Sequence, residues 1–353
     1  MEKQAFIGQG LALLTEKLIE AAGLSAIACV PHIGSGDGVA ADAAAVEAMR
    51  TLFNRMYMDG HIVIGEGERD EAPMLYIGER VGLGGIGVDI AVDPLEGTAL
   101  CANNKPGAIT VLAAAPNGGL LHAPDVYMEK IAVGAGVPTG ILDLDAGIVE
   151  NINRLAKSKG CAVSAIKICL LDRLRHKEMI EAARATGAII QLISDGDVMA
   201  SISTVMAQNG NGPDMYYGIG GAPEGVLAAA ALKGLGGQML GRLVLSNSEA
   251  ERRACDMGCI PGKVYTIEDM VPGDVVFVAA GVTAGDILGG PVTTAGNKCK
   301  VPVLMVEHLN GRGDYGFHQI LGDSTGAAAT HGESGEANYD HDTSHPAQYE
   351  SPL

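Results

Sequence analysis

The sequence predicts an α/β protein: an α+β first half followed by an α/β second half. Three observations lead there. From about residue 145, short apolar runs alternate with stretches of helical spacing, the pattern of βαβ units with a parallel sheet. Before that point, helical patterns dominate the start and apolar runs come later. A length of 353 residues with 47% hydrophobic content can fill two packed domains or one large α/β body. Tryptophan is absent and aromatics make up 4%, so Ala, Val, Ile and Leu must do most of the packing. The change of pattern divides the chain into residues 1–145, 146–321 and a remainder, 322–353.

Residues 2–30 read as an amphipathic helix, because Leu11, Leu13, Leu14, Leu18 and Ile19 recur at helical spacing. The glycine-rich stretch 34–38 breaks it, and a second helix follows over 40–58. The run 61–64 is a strand opening into Gly-Glu-Gly-Glu. A helix is expected over 71–81. The strand 88–92 is expected to stop at Asp93-Pro94, since proline brings no N–H to a ladder, and 108–115 is its sheet neighbour. In the second half, helices are expected over 145–159, 173–186, 198–208 and 224–235, and strands over 162–170, 188–193 and 215–219. Ligands of such sheets gather at the C-terminal strand ends. Two of those ends are polar and glycine-rich: Ser194-Asp195-Gly196-Asp197 and Gly220-Gly221-Ala222-Pro223-Glu224. Residues 322–353 hold almost no large apolar side chain and read as a disordered acidic tail. Its His331, His341 and His345 are taken as solvated rather than metal-binding.

A net charge of −18 argues against a nucleic-acid or anionic-membrane partner, either of which needs clustered Lys and Arg. It leaves a phosphorylated substrate open, because bound divalent cations reverse the local sign of an acidic pocket. No apolar run is long enough to span a bilayer, and no signal-peptide pattern opens the chain. The seven cysteines include no CxxC pair and read as reduced and mostly buried, which points to a cytoplasmic protein.

Chemistry concentrates in Asp93-Pro94-Leu95-Glu96-Gly97-Thr98, where a buried strand delivers two carboxylates and a hydroxyl. Gly97 lets the backbone approach a phosphate, and Thr98 can orient a water. Carboxylates suit Mg²⁺ and Mn²⁺. An Asx-type turn would explain Asp93-Pro94 but not the Glu and Thr beside it. Upstream, Glu66, Glu68, Asp70 and Glu71 follow a strand directly. A helix N-terminus accounts for Asp70 and Glu71; Glu66, flanked by glycines at a strand end, is harder to explain by packing. Asp42, alone among alanines, is a helix N-cap or a ligand, and local evidence favours the cap. Asp42, Glu66, Asp93 and Glu96 brought together, with Glu224 joining from the second half, would supply the cage that two-cation phosphate chemistry needs.

Five segments carry a specific resemblance: DGHIVIGEGERDEAPMLYIGE, VDIAVDPLEGT, HAPDVYMEK, ISDGDVMASI and YYGIGGAPEGV, in order over roughly residues 34–245. The chain resembles the class II fructose-1,6-bisphosphatases of the lithium-sensitive phosphatase superfamily, some cyanobacterial members of which also hydrolyse sedoheptulose-1,7-bisphosphate. The resemblance implies a layered α-β-α-β-α sugar-phosphatase fold with its site in the cleft between the halves. It implies hydrolysis of the C1 phosphate of fructose-1,6-bisphosphate with Mn²⁺ or Mg²⁺, in a homo-oligomer, dimer or tetramer. Metal ligands fall on Asp42, Glu66, Asp93, Glu96 and Glu224, and catalysis on Thr98, Asp93 and Glu66. Substrate contacts fall on Glu96, Gly97 and Thr98, with Tyr127 against the sugar. Arg173, Leu174 and Arg175 would hold the second phosphate, Asp195, Gly196 and Asp197 the sugar hydroxyls, and Gly221 would border the same pocket. Forked arginine donors match phosphate; a solvated first helical turn is their alternative, and a half-buried core tyrosine is that of Tyr127.

The chain departs from the family pattern in one motif: GKGDKNAAD is replaced by GSGDGVAAD, with Ser35 and Gly38 in place of lysines. The loop after Leu245 is shorter, and the resemblance fades from about Gly289. Two further readings remain open on the residues. One is an inositol- or nucleotide-phosphate phosphatase of the same superfamily, against which Arg173, Arg175 and the Asp-Gly-Asp loop speak. The other is a non-catalytic sugar-phosphate or metal-binding paralogue, for which Gly38 speaks.

Overall fold

The computed structural model describes residues 10–67, 74–206, 212–293 and 297–324. Helices α1 (Thr15–Ala28) and α2 (Gly38–Phe53) open the chain, and strands β1 (Met58–Ile64), β2 (Arg80–Val81) and β3 (Ile86–Glu96) follow. The short helix α3 (Thr98–Ala102) leads into β4 (Ile109–Pro116) and β5 (Tyr127–Val133). The middle alternates: α4 (Gly147–Lys159), β6 (Lys167–Leu171), α5 (Lys177–Ala185), β7 (Ile189–Ile193), α6 (Asp197–Met206), β8 (Met215–Gly221), α7 (Ala222–Leu235) and β9 (Gln238–Val244). Last come α8 (Ser248–Asp256), β10 (Tyr265–Thr266), α9 (Ile267–Met270) and β11 (Val275–Gly281), then β12 (Val292–Thr293), β13 (Lys298–Leu309) and β14 (Arg312–Asp323).

Two sheets organise these elements. The first runs β12-β13-β11-β4-β3-β1-β2, with β14 paired to β13; the second runs β10-β9-β5-β8-β6-β7. In the second sheet β6 lies parallel to β7 and β8, as the alternating pattern predicts, while β5 pairs antiparallel with β8 and β9. The chain passes to the second sheet at β5, before residue 145, and returns to the first with β11 to β14.

Burial follows from these layers. Helices α1 and α2 cover one face of the first sheet, where Leu18, Ile19, Met49 and Phe53 meet Ile62, Ile90 and Val278. Between the sheets, α6 packs against α7 and against β5 and β8 of the second sheet, and α7 packs against strands of both. The α7 segment from Val226 to Leu232 is buried on every side, which its run of alanines permits: small side chains let two sheets approach one helix. On the far face of the second sheet, Ile148, Ile152 and Leu155 of α4 and Ile180 of α5 cover Ile168 and Leu170. The result is the α-β-α-β-α layering expected from the resemblance.

Several expectations are corrected. Strand β3 does not stop at Asp93-Pro94. It continues to Glu96 through a register shift against β4, pairing Asp93 with Val111 and Glu96 with Ile109. Pro94 falls within that bulge, where it owes the ladder no N–H. No helix covers the described part of 71–81. Residues 74–79 turn back on β1, with the Gly78 N–H donating to Ile62 O at 2.8 Å and Leu75 at φ 53°. The start of the proposed tail, Gly322 and Asp323, closes β14; residues 325–353, with the three tail histidines, lie outside the described residues. Of the seven free cysteines, Cys161 and Cys255 are exposed and the other five buried. Among the described residues no helix is long and apolar enough to cross a membrane.

Candidate active site

Asp37, not Asp42, caps α2: its carboxylate accepts the Ala40 N–H at 3.0 Å. Asp42 stands inside the helix, half-buried, and burial raises its carboxyl above the ordinary value. Helix α2 is tied to the loop that carries Glu66. Arg50 Nε donates to Glu79 Oε1 at 2.6 Å, and the Leu75 N–H donates to Glu79 Oε2. Leu75 O then receives the Glu66 N–H at 3.0 Å. Two acids far apart in sequence are thereby held in one frame.

The bulge in β3 does the corresponding work for Asp93 and Glu96. Residues three apart on a regular strand face opposite sides; the extra residue of a bulge turns both acids towards one cavity. Asp93 Oδ1 accepts the Leu95 N–H at 3.1 Å, and Glu96 Oε1 accepts the Val198 N–H at 3.2 Å. Gly97, at φ 81°, makes the left-handed turn into α3 that presents Thr98. Glu224 comes from the first turn of α7 and packs so closely on Gly221 that any Cβ there would overlap its carboxylate.

Asp42, Glu66, Asp93, Glu96 and Glu224 line one cavity of about 750 Å³. Asp42, Glu66, Asp93 and Glu224 each raise the proton affinity of at least one other acid of the set. Burial, then Asp42 and Glu224, push Glu66 up to about 7. Burial, then Glu224, Glu66 and Asp42, raise Asp93 well above the carboxylate range. Burial, then Asp197, Asp93 and Glu224, do the same to Glu96, and burial followed by Asp197 raises Glu224. Among the described residues no three His, Cys, Asp or Glu stand ready-gathered to hold a metal ion. Glu96 Oε2 and Glu224 Oε2 decide the question of fit: both are buried without a hydrogen-bond partner. A buried, unpaired carboxylate oxygen is costly, and hard divalent cations take this donor type.

The same cavity is lined by the predicted substrate residues Tyr127, Arg173, Arg175, Asp195, Asp197 and Gly221. Arg175 donates from Nε and Nη2 to Ile219 O at 3.0 and 2.7 Å, and its guanidinium lies 4.5 Å from the Tyr127 ring centre. Arg173 Nη2 is 3.6 Å from Asp195 Oδ1. Two predicted residues are not brought into the cleft. Leu174 is 89% exposed beside it, and Gly196 lines a neighbouring cavity of about 610 Å³. Gly38, at a position where the family pattern has lysine, lies against Thr98: an added Cβ would fall 2.8 Å from its methyl.

Sequence reasoning missed Lys130. Its ammonium is buried, paired with Asp197 Oδ2 at 2.6 Å and donating to Gly221 O at 2.9 Å, while the Tyr216 hydroxyl donates to the same Asp197 oxygen at 3.0 Å. Lys130 also draws the Glu224 carboxyl downward. The signal was present: Lys130 shares the inward period with Met128 and Ala132 on β5, where a charge demands a partner. Asp125, also on the cleft wall, was visible in HAPDVYMEK but assigned nothing.

A cavity that gathers five acids and two arginines has the donor set of a hydrolase of phosphate esters. The model of the family described as bacterial fructose-1,6-bisphosphatase, glpX-encoded, matches residues 12–312. Similar proteins include the D-fructose 1,6-bisphosphatase class 2/sedoheptulose 1,7-bisphosphatase of Synechococcus sp. (strain RCC307), 48% identical over 78% of this chain and 87% of that protein. The protein of the same description from Prochlorococcus marinus (strain MIT 9303) is 47% identical over the same shares, and that of Synechococcus sp. (strain CC9902) 44% identical over 84% and 92%. The chain belongs to the glpX-encoded bacterial fructose-1,6-bisphosphatase family. It is an enzyme, a class II fructose-1,6-bisphosphatase.

Proposed function

We propose that this cleft removes the C1 phosphate of fructose-1,6-bisphosphate, giving fructose 6-phosphate and phosphate, with Asp42, Glu66, Asp93, Glu96 and Glu224 holding the divalent cations of a metal-dependent phosphatase. The observation that carries the reading is the convergence of these acids, from four separate segments, on one cavity. Mn²⁺ or Mg²⁺ fits an all-oxygen set. When bound, such cations neutralise the phosphoryl charge and make water nucleophilic near neutral pH.

The protein's own groups then do the positioning. The Thr98 hydroxyl donates to Leu95 O at 3.0 Å. With its proton committed, its oxygen accepts from the attacking water and fixes that water's orientation. Water oxygen bonds to phosphorus as the bond to the C1 oxygen breaks. Asp93 or Glu66 takes the proton that the water sheds, and the leaving oxygen is protonated from solvent. Arg173 and Arg175 hold the second phosphate by charge-assisted hydrogen bonds. Tyr127 packs on the sugar, Asp195 and Asp197 bound its hydroxyl side, and the glycine at 221 gives it room. Lys130 pairs with Asp197 and donates to Gly221 O, which holds both at the cleft wall.

Sedoheptulose-1,7-bisphosphate is a second substrate on this reading, supported by the names of the cyanobacterial relatives and by a cavity roomy enough for one more carbon. The enzyme works as a homo-oligomer, dimer or tetramer, in the cytoplasm, where its unbridged cysteines stay reduced. Phosphorus NMR of the reaction with fructose-1,6-bisphosphate and Mn²⁺ tests the regiochemistry. Loss of the C1 resonance with the C6 resonance kept is expected; fructose 1-phosphate as product would refute the orientation given to the arginines.

A further inference from the structure

Three of the five family segments each contribute a polar residue that the cleft does not use: His61, Asp89 and His122. They meet on the first sheet. Asp89 on β3 stands directly beside His61 on β1 in the parallel register, and it is only 3% exposed. Its Oδ2 accepts the Gly118 N–H at 2.6 Å and lies 3.4 Å from His122 Nε2. Its Oδ1 lies 3.8 Å from His61 Nδ1, and the two imidazoles meet edge-on with centres 6.0 Å apart. Beside them Arg80 and Asp59 pair at 3.4 Å.

Gly118 and His122 belong to residues 117–126, the strap that carries the chain from β4 in the first sheet to β5 in the second. The strap is fastened along its length. Leu120 and Ala123 are buried between the sheets, and the Leu121 N–H donates to Met270 O at 2.8 Å. At its far end Val126 O accepts the N–H of Ala222, the first residue of α7, at 2.8 Å. That helix carries Glu224, and Asp125 and Tyr127 at the strap's end line the cleft. A buried carboxylate is costly unless its oxygens are met by donors. Asp89 meets the Gly118 N–H at the strap's beginning and the His122 imidazole at its middle, so both points of the strap are tied to β3.

We propose that Asp89 and His122 form a clasp that positions the strap, and through it Tyr127 and the first turn of α7, for binding of the sugar bisphosphate. They are positioning residues, and the proposal rests on the reading of the cleft in which Tyr127 lies against the substrate.

The test compares wild type with His122→Ala, His122→Gln and Tyr127→Ala, using fructose-1,6-bisphosphate and saturating Mn²⁺. Glutamine keeps an N–H donor near the position of Nε2. At 36% side-chain exposure His122 can be truncated without opening the core, and an unchanged unfolding midpoint checks this. His122→Ala is expected to raise KM about tenfold with kcat within about twofold, a misplacement effect on binding, and His122→Gln to return KM to within about threefold of wild type. Asp89→Asn is expected to shift KM in the same direction. An unchanged KM in His122→Ala beside a raised KM in Tyr127→Ala overturns the clasp and leaves the cleft reading intact. An unchanged KM in Tyr127→Ala overturns both. Failure of glutamine to restore KM also overturns the clasp.

Discussion

Glu66→Gln is expected to stabilise the cation-free enzyme while disabling it. In the folded protein burial and the neighbouring acids Asp42 and Glu224 push the Glu66 carboxyl from 4.5 to about 7. That displacement corresponds to about 3 kcal/mol of unfavourable interaction once the group is ionised, at about 1.4 kcal/mol per tenfold change; partial solvent access reduces it to about 2–3 kcal/mol. The sign follows from linkage. The folded value lies above the unfolded one, so below pH 4.5 both states hold the proton and the site costs nothing. Between 4.5 and about 7 the folded protein keeps a proton that the unfolded chain has lost, and stability falls as pH rises. Above 7 the cost is complete. A neutral glutamine removes it. In excess chelator at pH 8 the variant should melt about 4–6 °C above wild type, at about 2 °C per kcal/mol for a chain of this size. At pH 5 the gain should be small. With Mn²⁺ at pH 8 the order should reverse, because only the wild type gains full binding free energy. Differential scanning fluorimetry at the two pH values reads all three comparisons. A variant less stable than wild type at pH 8 in chelator, or equally stabilised at both pH values, would refute the reasoning.

Lys130→Met should be severe in the opposite sense, since it leaves Asp197 charged and buried beside Glu96: a loss of about 3–5 kcal/mol, read by chemical denaturation, with an unchanged midpoint counting against the pair's role. Arg175→Ala should raise KM for the bisphosphate by about 10- to 100-fold with kcat nearly kept, the worth of one charge-assisted bond to phosphate. Arg175→Lys should not rescue it, because a lysine cannot reproduce the fork that grips Ile219 O; steady-state kinetics on both variants decides the matter.

The acids were legible in the sequence because they break local rules. Glu66 between glycines and Asp93 and Glu96 at the end of an apolar strand have no packing reason to be there, and such conflicts mark functional sites. Asp42 was misread locally because three-residue spacing from a cap is easily shifted: Asp37 to Ala40 makes the bond. The bulge that aligns Asp93 with Glu96 was hidden, since Pro94 reads as a strand terminator unless the extra residue is known. A helix is expected over 71–81, but among its described residues Leu75 and Gly78 adopt positive φ to return the chain to β1, a tertiary demand no local pattern announces. The partners that Lys130 finds, and the meeting of His61, Asp89 and His122, depend on which strands become neighbours, and the two-sheet order is invisible in one chain's periodicity.

The central claim is that scattered carboxylates gather divalent cations on which phosphate release depends. Phosphate liberated from fructose-1,6-bisphosphate by chelator-treated enzyme, before and after Mn²⁺ is added back, should be nil and then fully restored in the wild type and absent throughout in Asp93→Asn. Phosphate release without any cation, or near-normal release by Asp93→Asn, would contradict it.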